Sequence, residues 1–156
     1  MRATQNTAQS SFIVLQIGNR RFALAADAVV ELSAPVRLHT FPHTSPAVIG
    51  VIVRRGRVVP VYDAAPLLAG RSFSHHRFYV VARRQFGQAS ELGAMPVSGE
   101  CELASGEMQP PSTGSPAYVC GVLPVGEDSV PVLDFNTLVN IYVSPEREPA
   151  GAGASS

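Results

Sequence analysis

The chain has 156 residues, 46% of them apolar and 15% charged, enough to bury a sizeable core and too apolar for a disordered polymer. Twelve basic and twelve acidic residues cancel, which argues against nucleic acid or an anionic membrane surface as the main partner, because phosphate binding needs clustered excess Lys and Arg. No apolar run reaches the length of a membrane span, Met1 to Ser11 lacks a signal-peptide core, and Cys101 and Cys120 are too few for a disulfide framework, so a reducing cytoplasm is expected.

The apolar stretches are short, rich in β-branched residues and punctuated by Gly and Pro, which predicts strands rather than helices. Residues 1–11 read as a disordered start. Phe12 to Ile17 is a strand, Gly18-Asn19 a turn, and Arg21 to Ala25 the hairpin partner. Ala28 to Leu32 is open between a strand and a short helix. Arg37 to Pro46, with Pro42 and Pro46, is a loop. Val48 to Val53 and Arg57 to Tyr62 form a second hairpin around Arg54-Arg55-Gly56. Asp63 to Leu68 follows as one or two helical turns stopped by Gly70. After a connection from Arg71 to His76 the plan recurs: Phe78 to Ala82, Glu91 to Val97, Tyr118 to Leu123 and Ser129 to Leu133 are strands, and Asp134 to Asn140 is helical. Ser105 to Pro116 reads as a loop and 144–156 as a disordered tail.

That recurrence is literal. Gly50-Val51, Val59-Pro60-Val61, Asp63 and Leu67 return 71 positions later as Gly121-Val122, Val130-Pro131-Val132, Asp134 and Leu138. Phe12-Ile13-Val14 has a weaker echo in Phe78-Tyr79-Val80, 66 positions on. A unit of this length exceeds most solenoid repeats, and two copies are too few for a solenoid. An all-β fold of two small tandem β-barrels is predicted, one from about 12–70 and one from about 77–143, each closing its own sheet edges. Pro60 and Pro131 lack a ladder donor and are expected at an edge or a bulge.

Asp63 and Asp134 sit where a helix N-cap is wanted. Two lobes contributing one aspartate each suggest an aspartic protease, but Ala64-Ala65 and Phe135-Asn136 replace the Asp-Thr/Ser-Gly turn that exposes such carboxylates. His39 and His43 have a metal-ligand spacing only on a helix, which Pro42 and Pro46 disfavour, and His75-His76 has no acidic or cysteine companion. They read as loop histidines, with no metal and no cofactor. Arg54-Arg55 and Arg83-Arg84 suggest a single-strand-binding barrel, yet the aromatic platform is thin and Trp is absent. Solvated hairpin turns are the plainer expectation. No enzyme motif is found.

Several segments taken together resemble the CheW-like domain family, the coupling proteins of bacterial chemosensory arrays. Phe12 to Gly18 followed by Arg21-Phe22-Ala23-Leu24 looks like the family's first hairpin, and Val29-Val30-Glu31-Leu32 matches its Val-x-Glu-Ile/Val segment. Gly50 to Gly56 is similar to its Gly-x-x-Asn-x-Arg-Gly turn, and Val58 to Leu68 to the Val-x-Pro-Val-x-Asp-Leu segment after it. The resemblance covers residues 12–143. It implies a pair of five-stranded SH3-like barrels and a non-catalytic adaptor between the cytoplasmic tips of chemoreceptors and the regulatory domain of a CheA-type histidine kinase. It places Val29, Glu31 and Leu32 at the kinase-facing edge and Arg55 at the receptor-coupling turn, with Glu31 and Arg55 largely exposed. Val53 in place of asparagine, Ala65-Pro66 in place of Leu-Arg, and Pro96 in the second barrel mark a divergent member, suited to a chemosensory system other than flagellar control, such as pilus motility. The alternative is a small-barrel nucleic-acid-binding module.

Overall fold

Alternating apolar side chains and glycine-bearing turns build the hairpins in a computed structural model that describes residues 9–40, 48–71, 78–86 and 88–143. Strand β1 (Ser10–Ile17) turns at Gly18, φ 67°, into β2 (Arg20–Ala25). A 3-10 turn (Ala26–Ala28) leads to β3 (Val29–Ser33), which resolves the open segment as a strand. Strands β4 (Val48–Arg54) and β5 (Arg57–Tyr62) join through Arg55 and Gly56, both at positive φ (54° and 76°), the backbone a tight right-twisted hairpin requires. Helix α1 (Ala65–Ala69) ends at left-handed Gly70, whose N–H donates to Pro66 O. Then come β6 (Phe78–Phe86), β7 (Ala89–Val97), β8 (Glu102–Gly106), β9 (Val119–Val125), β10 (Asp128–Leu133) and helix α2 (Phe135–Val143).

Two expectations at the ends of elements change. Ser10 and Ser11 belong to β1, held by pairing with Gly106 and Ser105, so order begins before residue 12. Those partners lie in β8, inside the segment expected to loop from Ser105. Its sequence, Glu-Leu-Ala-Ser-Gly, carries little strand propensity, and the pairing with β1 makes it a strand. Residues 1–8 and 144–156, expected to be disordered, lie outside the described residues.

The larger correction concerns which strands share a barrel. One five-stranded sheet runs β8-β1-β2-β10-β9 and the other β3-β6-β7-β5-β4. The barrels therefore do not follow the expected division at about 70–77. Each repeat lends its first hairpin to the barrel of the other. Two parallel contacts tie the exchange together, Ala23 of β2 on Val132 of β10 and Ala94 of β7 on Val61 of β5.

Within this arrangement the duplication holds position by position. Gly50, Val51 and Ile52 pair with Val61, Pro60 and Val59, as Gly121, Val122 and Leu123 pair with Val132, Pro131 and Val130. Leu32 faces Val80 in one barrel and Leu103 faces Ile13 in the other, so Glu102-Leu103 is a further copy of Glu31-Leu32. The same registers set Phe12 against Tyr79, one residue beyond the match with Phe78 expected from sequence. The barrel interiors are accordingly equivalent: Phe12, Val14, Ala23, Leu123, Val130 and Val132 in one, Tyr79, Val81, Ala94, Ile52, Val59 and Val61 in the other. Between them lies a third cluster that includes Leu15, Leu24, Leu68, Met95, Phe135 and Leu138, shared by both. Burying each such large side chain contributes about 1.5–3 kcal/mol.

The repeated Gly-Val closes each barrel. Val51 exchanges both backbone hydrogen bonds with His39 (2.8 and 2.9 Å), and Val122 does the same with Gln109 (2.8 and 2.9 Å). A Cβ on Gly50 would stand 2.6 Å from His39 O, and one on Gly121 would stand 2.8 Å from Gln109 O. Only glycine lets the crossing segment approach. Because Val51 and Val122 spend their polar groups on that segment, the facing Pro60 and Pro131 direct their nitrogens away from β4 and β9. They lie on interior strands, not at the expected edges, where the parallel neighbour is in register at one residue only.

Candidate interaction surfaces

On β3 alternation sorts the site residues. Val30 (44% exposed) and Leu32 (41%) point outward, whereas Val29 packs against the shared central cluster. Glu31 is not the exposed charge expected of it. Its side chain is 16% exposed and forms a salt bridge with Arg54, across from the end of β3 to the end of β4. The Arg54 hydrogen bond holds the Glu31 carboxyl below its ordinary range, against the opposing effect of burial and with Arg55 adding its charge. Arg55 itself is exposed at the β4–β5 turn, as expected. Beside it Val53 and Val58 face each other across the hairpin, both exposed. Four apolar side chains are thus exposed on the outward face of β3, β4 and β5, while the Glu31–Arg54 bridge ties β3 to β4 on the opposite face of the strands. Val30 and Val58 were not singled out from sequence, and Val53 only as a departure from the family's asparagine, since a lone valine in a strand carries no mark of its partner surface.

The other barrel presents the same strand with different chemistry. Leu103 on β8 occupies the position of Leu32 and is 69% exposed. Its neighbour Glu102 lies 3.7 Å from Arg21, which also reaches Asp128 at 3.3 Å. Val125 stands where the first seam has Arg54, so no counterpart of the Glu31–Arg54 bridge can form across this seam.

A cleft of about 680 Å³ opens where β1, β2 and the 3-10 turn meet β10 and α2, lined by Phe12, Leu24, Met108, Cys120, Val132 and Phe135 among others. Burial pushes the Cys120 thiol up, and nearby Asp134 adds to the shift. Cys101 and Cys120 are both free. The cleft combines residues from both repeats, and no local pattern announces it.

The candidates for chemistry take structural positions. Asp134 Oδ1 accepts from the amides of Asn136 (3.1 Å) and Thr137 (3.3 Å), a helix N-cap. Asp63 Oδ1 accepts from Ala65 N (3.1 Å) just ahead of α1, but the N-cap of that helix is Ala64, whose carbonyl takes the first helical amides and which supplies no side-chain cap, so the cap expected at Asp63 is not formed. His39 contributes its backbone to the barrel seam, while His43, His75 and His76 lie outside the described residues. The arginine pairs are not simply solvated turns. Arg54 bonds Glu31, Arg83 donates to Asp27 O (2.9 Å), and Arg84, 5% exposed, lies 3.5 Å from Glu91 and against Tyr62. Among the described residues no group of three or more His, Cys, Asp or Glu is placed to hold a metal, and no helix is long and apolar enough to cross a membrane.

Two five-stranded barrels that exchange hairpins and share a central apolar cluster define the architectural class of the chain. The profile of the CheW-like domain family matches residues 11–143, and the chain belongs to that family. Its fold, two SH3-like barrels, is similar to the crystal structure of the scaffolding protein TtCheW from Thermoanaerobacter tengcongensis, with TM-score 0.72 and 18% identity over 83% of this chain and 91% of that one. No curated protein matches the sequence.

Proposed function

We propose that this chain is a non-catalytic cytoplasmic adaptor that couples chemoreceptor tips to the regulatory domain of a CheA-type histidine kinase. Family membership over residues 11–143 supports the class. The observation that carries the reading is the exposure of Val30, Leu32, Val53 and Val58 on neighbouring strands β3, β4 and β5, where Glu31 and Arg54 turn away from that face and match each other's charge. Such a face loses little on desolvation and suits a partner of like fold, since the core of a protein interface is depleted of net charge. The kinase regulatory domain docks there through Leu32 and Glu31, with Val29 supporting the strand from inside. Arg55 at the adjoining turn and the apolar cleft where β1 and β2 meet β10 and α2 serve the receptor tip. Val53 in the family's asparagine position enlarges the apolar face, which fits a dedicated, non-flagellar system such as one governing pili. Arg54, Arg83 and Arg84 are engaged with acidic or backbone oxygens, which leaves Arg55 alone of the two pairs exposed at a turn and gives the nucleic-acid alternative little support.

The test titrates Leu32→Glu, Glu31→Lys and Arg55→Glu against a kinase regulatory domain and a receptor-tip fragment, alongside thermal melts. Leu32→Glu weakens kinase binding about tenfold or more, equivalent to about 1.4 kcal/mol or more, at an unchanged melting temperature. Arg55→Glu weakens receptor binding in the same way. Glu31→Lys lowers both kinase affinity and stability, because it also opposes Arg54. Unchanged affinity for both partners in all three variants removes the proposal.

A further inference from the structure

We infer that the two repeats are mutually completing halves, and that each recognises the other without the covalent connection between them. The observation is the reciprocal exchange of hairpins. In the first half, β1 and β2 pair with β8 and β10 of the second, through Ser10↔Gly106 to Val14↔Glu102 and through Ala23↔Val132. In the second half, β6 and β7 pair with β3 and β5 of the first, through Val29↔Ala82 to Ser33↔Tyr79 and through Val61↔Ala94. Neither half contains a closed barrel. Left to itself, each keeps a two-stranded hairpin and a separate set of three strands, and an isolated hairpin is marginal in water.

The apolar clusters divide in the same manner. Each barrel interior takes three buried residues from one half and three from the other: Phe12, Val14 and Ala23 with Leu123, Val130 and Val132, and Ile52, Val59 and Val61 with Tyr79, Val81 and Ala94. The central cluster draws eight buried residues from the first half, Leu15 to Leu68, and eight from the second, Val80 to Val139. All three cores therefore form only when the halves meet. Polar contacts follow the same seam, with Ser98 N donating to Gln16 O (3.0 Å) and Gly18 N donating to Ser98 Oγ (2.7 Å). The interface between halves is the interior of the protein itself, apolar in all three clusters, which is the character of an obligate complex. The partner of each half is the complementary half, from the same chain or from a second copy.

The experiment uses the full chain with a protease recognition sequence inserted between Ser74 and His75, cleaved after folding. The expected result is that both fragments co-elute at the position of the intact 16.5 kDa chain, retain its far-ultraviolet strand signal, and melt in one transition whose midpoint rises with protein concentration, as mass action requires. When cleaved unlabelled and cleaved ¹⁵N-labelled protein are unfolded together and refolded in equal amounts, native mass spectrometry finds about half of the complexes hybrid, the value for random pairing of halves. Fragments that separate under native conditions overturn the inference, whether they unfold or each keeps its strand signal. So does an insertion variant that loses its strand signal before cleavage, because the connection would then be part of what holds the fold. Absence of hybrids after refolding overturns the exchange between copies.

Discussion

Two aspartates at equivalent places do equivalent but unequal work. Asp134 receives two amide donors of α2 and Asp63 the Ala65 amide before α1. Asp134→Ala is expected to lower stability by about 1 kcal/mol in a denaturant titration, the usual cost of a lost cap. Asp63→Ala, which removes the bond to the Ala65 amide but no N-cap, should cost less than Asp134→Ala and leave partner binding intact. Glu31 adds a pH dependence. Its folded value lies below the ordinary 4.5, so the Arg54 pair stabilises the fold above that value. That stabilisation is lost as pH falls through the depressed value. Glu31→Gln should therefore melt lower than the natural protein near neutrality, and the difference should vanish on acidification. A carboxyl resonance of Glu31 titrating at or above 4.5 would contradict the pairing.

Among elements, the crossing segments at His39 and Gln109 depend on bare glycine backbones beneath them. Gly50→Ala is expected to destabilise by about 1–3 kcal/mol, the range for forced overpacking. Amide exchange should show the loss first at Val51, whose N–H is held by His39 O. Gly121→Ala meets Gln109 O and the Met108 side chain, and should expose Val122 in the same way. The hairpins around Gly18-Asn19 and Arg55-Gly56 were legible because turn residues and alternation lie within a few positions of each other. Strand β8 was not, because nothing in Glu-Leu-Ala-Ser-Gly fixes a strand apart from β1 beside it. The copy of Glu31-Leu32 at Glu102-Leu103 was present at the same 71-residue spacing. It became evident only when both pairs were seen opposite equivalent partners.

The molecule as a whole unfolds as one unit if its cores are shared as the clusters indicate. Phe135→Ala, in the central cluster, is expected to cost about 3–5 kcal/mol. Phe135 is 3% exposed and packs close to Gly93, where an added Cβ would stand 3.2 Å from its ring. The measurement is denaturant unfolding followed by two probes, one in each barrel. Coincident transitions at a lower midpoint are expected, and separated transitions would mean that the barrels are independent.

Sequence alone determined that the chain is duplicated, that it is built of short strands with a short helix after each Val-Pro-Val strand, and that Asp134 caps the second of those helices. These features rest on neighbours within a few residues, where periodicity, turn geometry and capping chemistry act directly. Tertiary structure alone decided which hairpin completes which barrel, that Glu31 is paired and Val29 inward, and that Arg84 is buried where the first repeat has Ile17. The physical reason is degeneracy. Two repeats with the same apolar pattern offer β1-β2 and β6-β7 similar strands to join, so local sequence cannot distinguish a barrel closed within a repeat from one closed between repeats. Only the long-range packing of the shared central cluster breaks that tie.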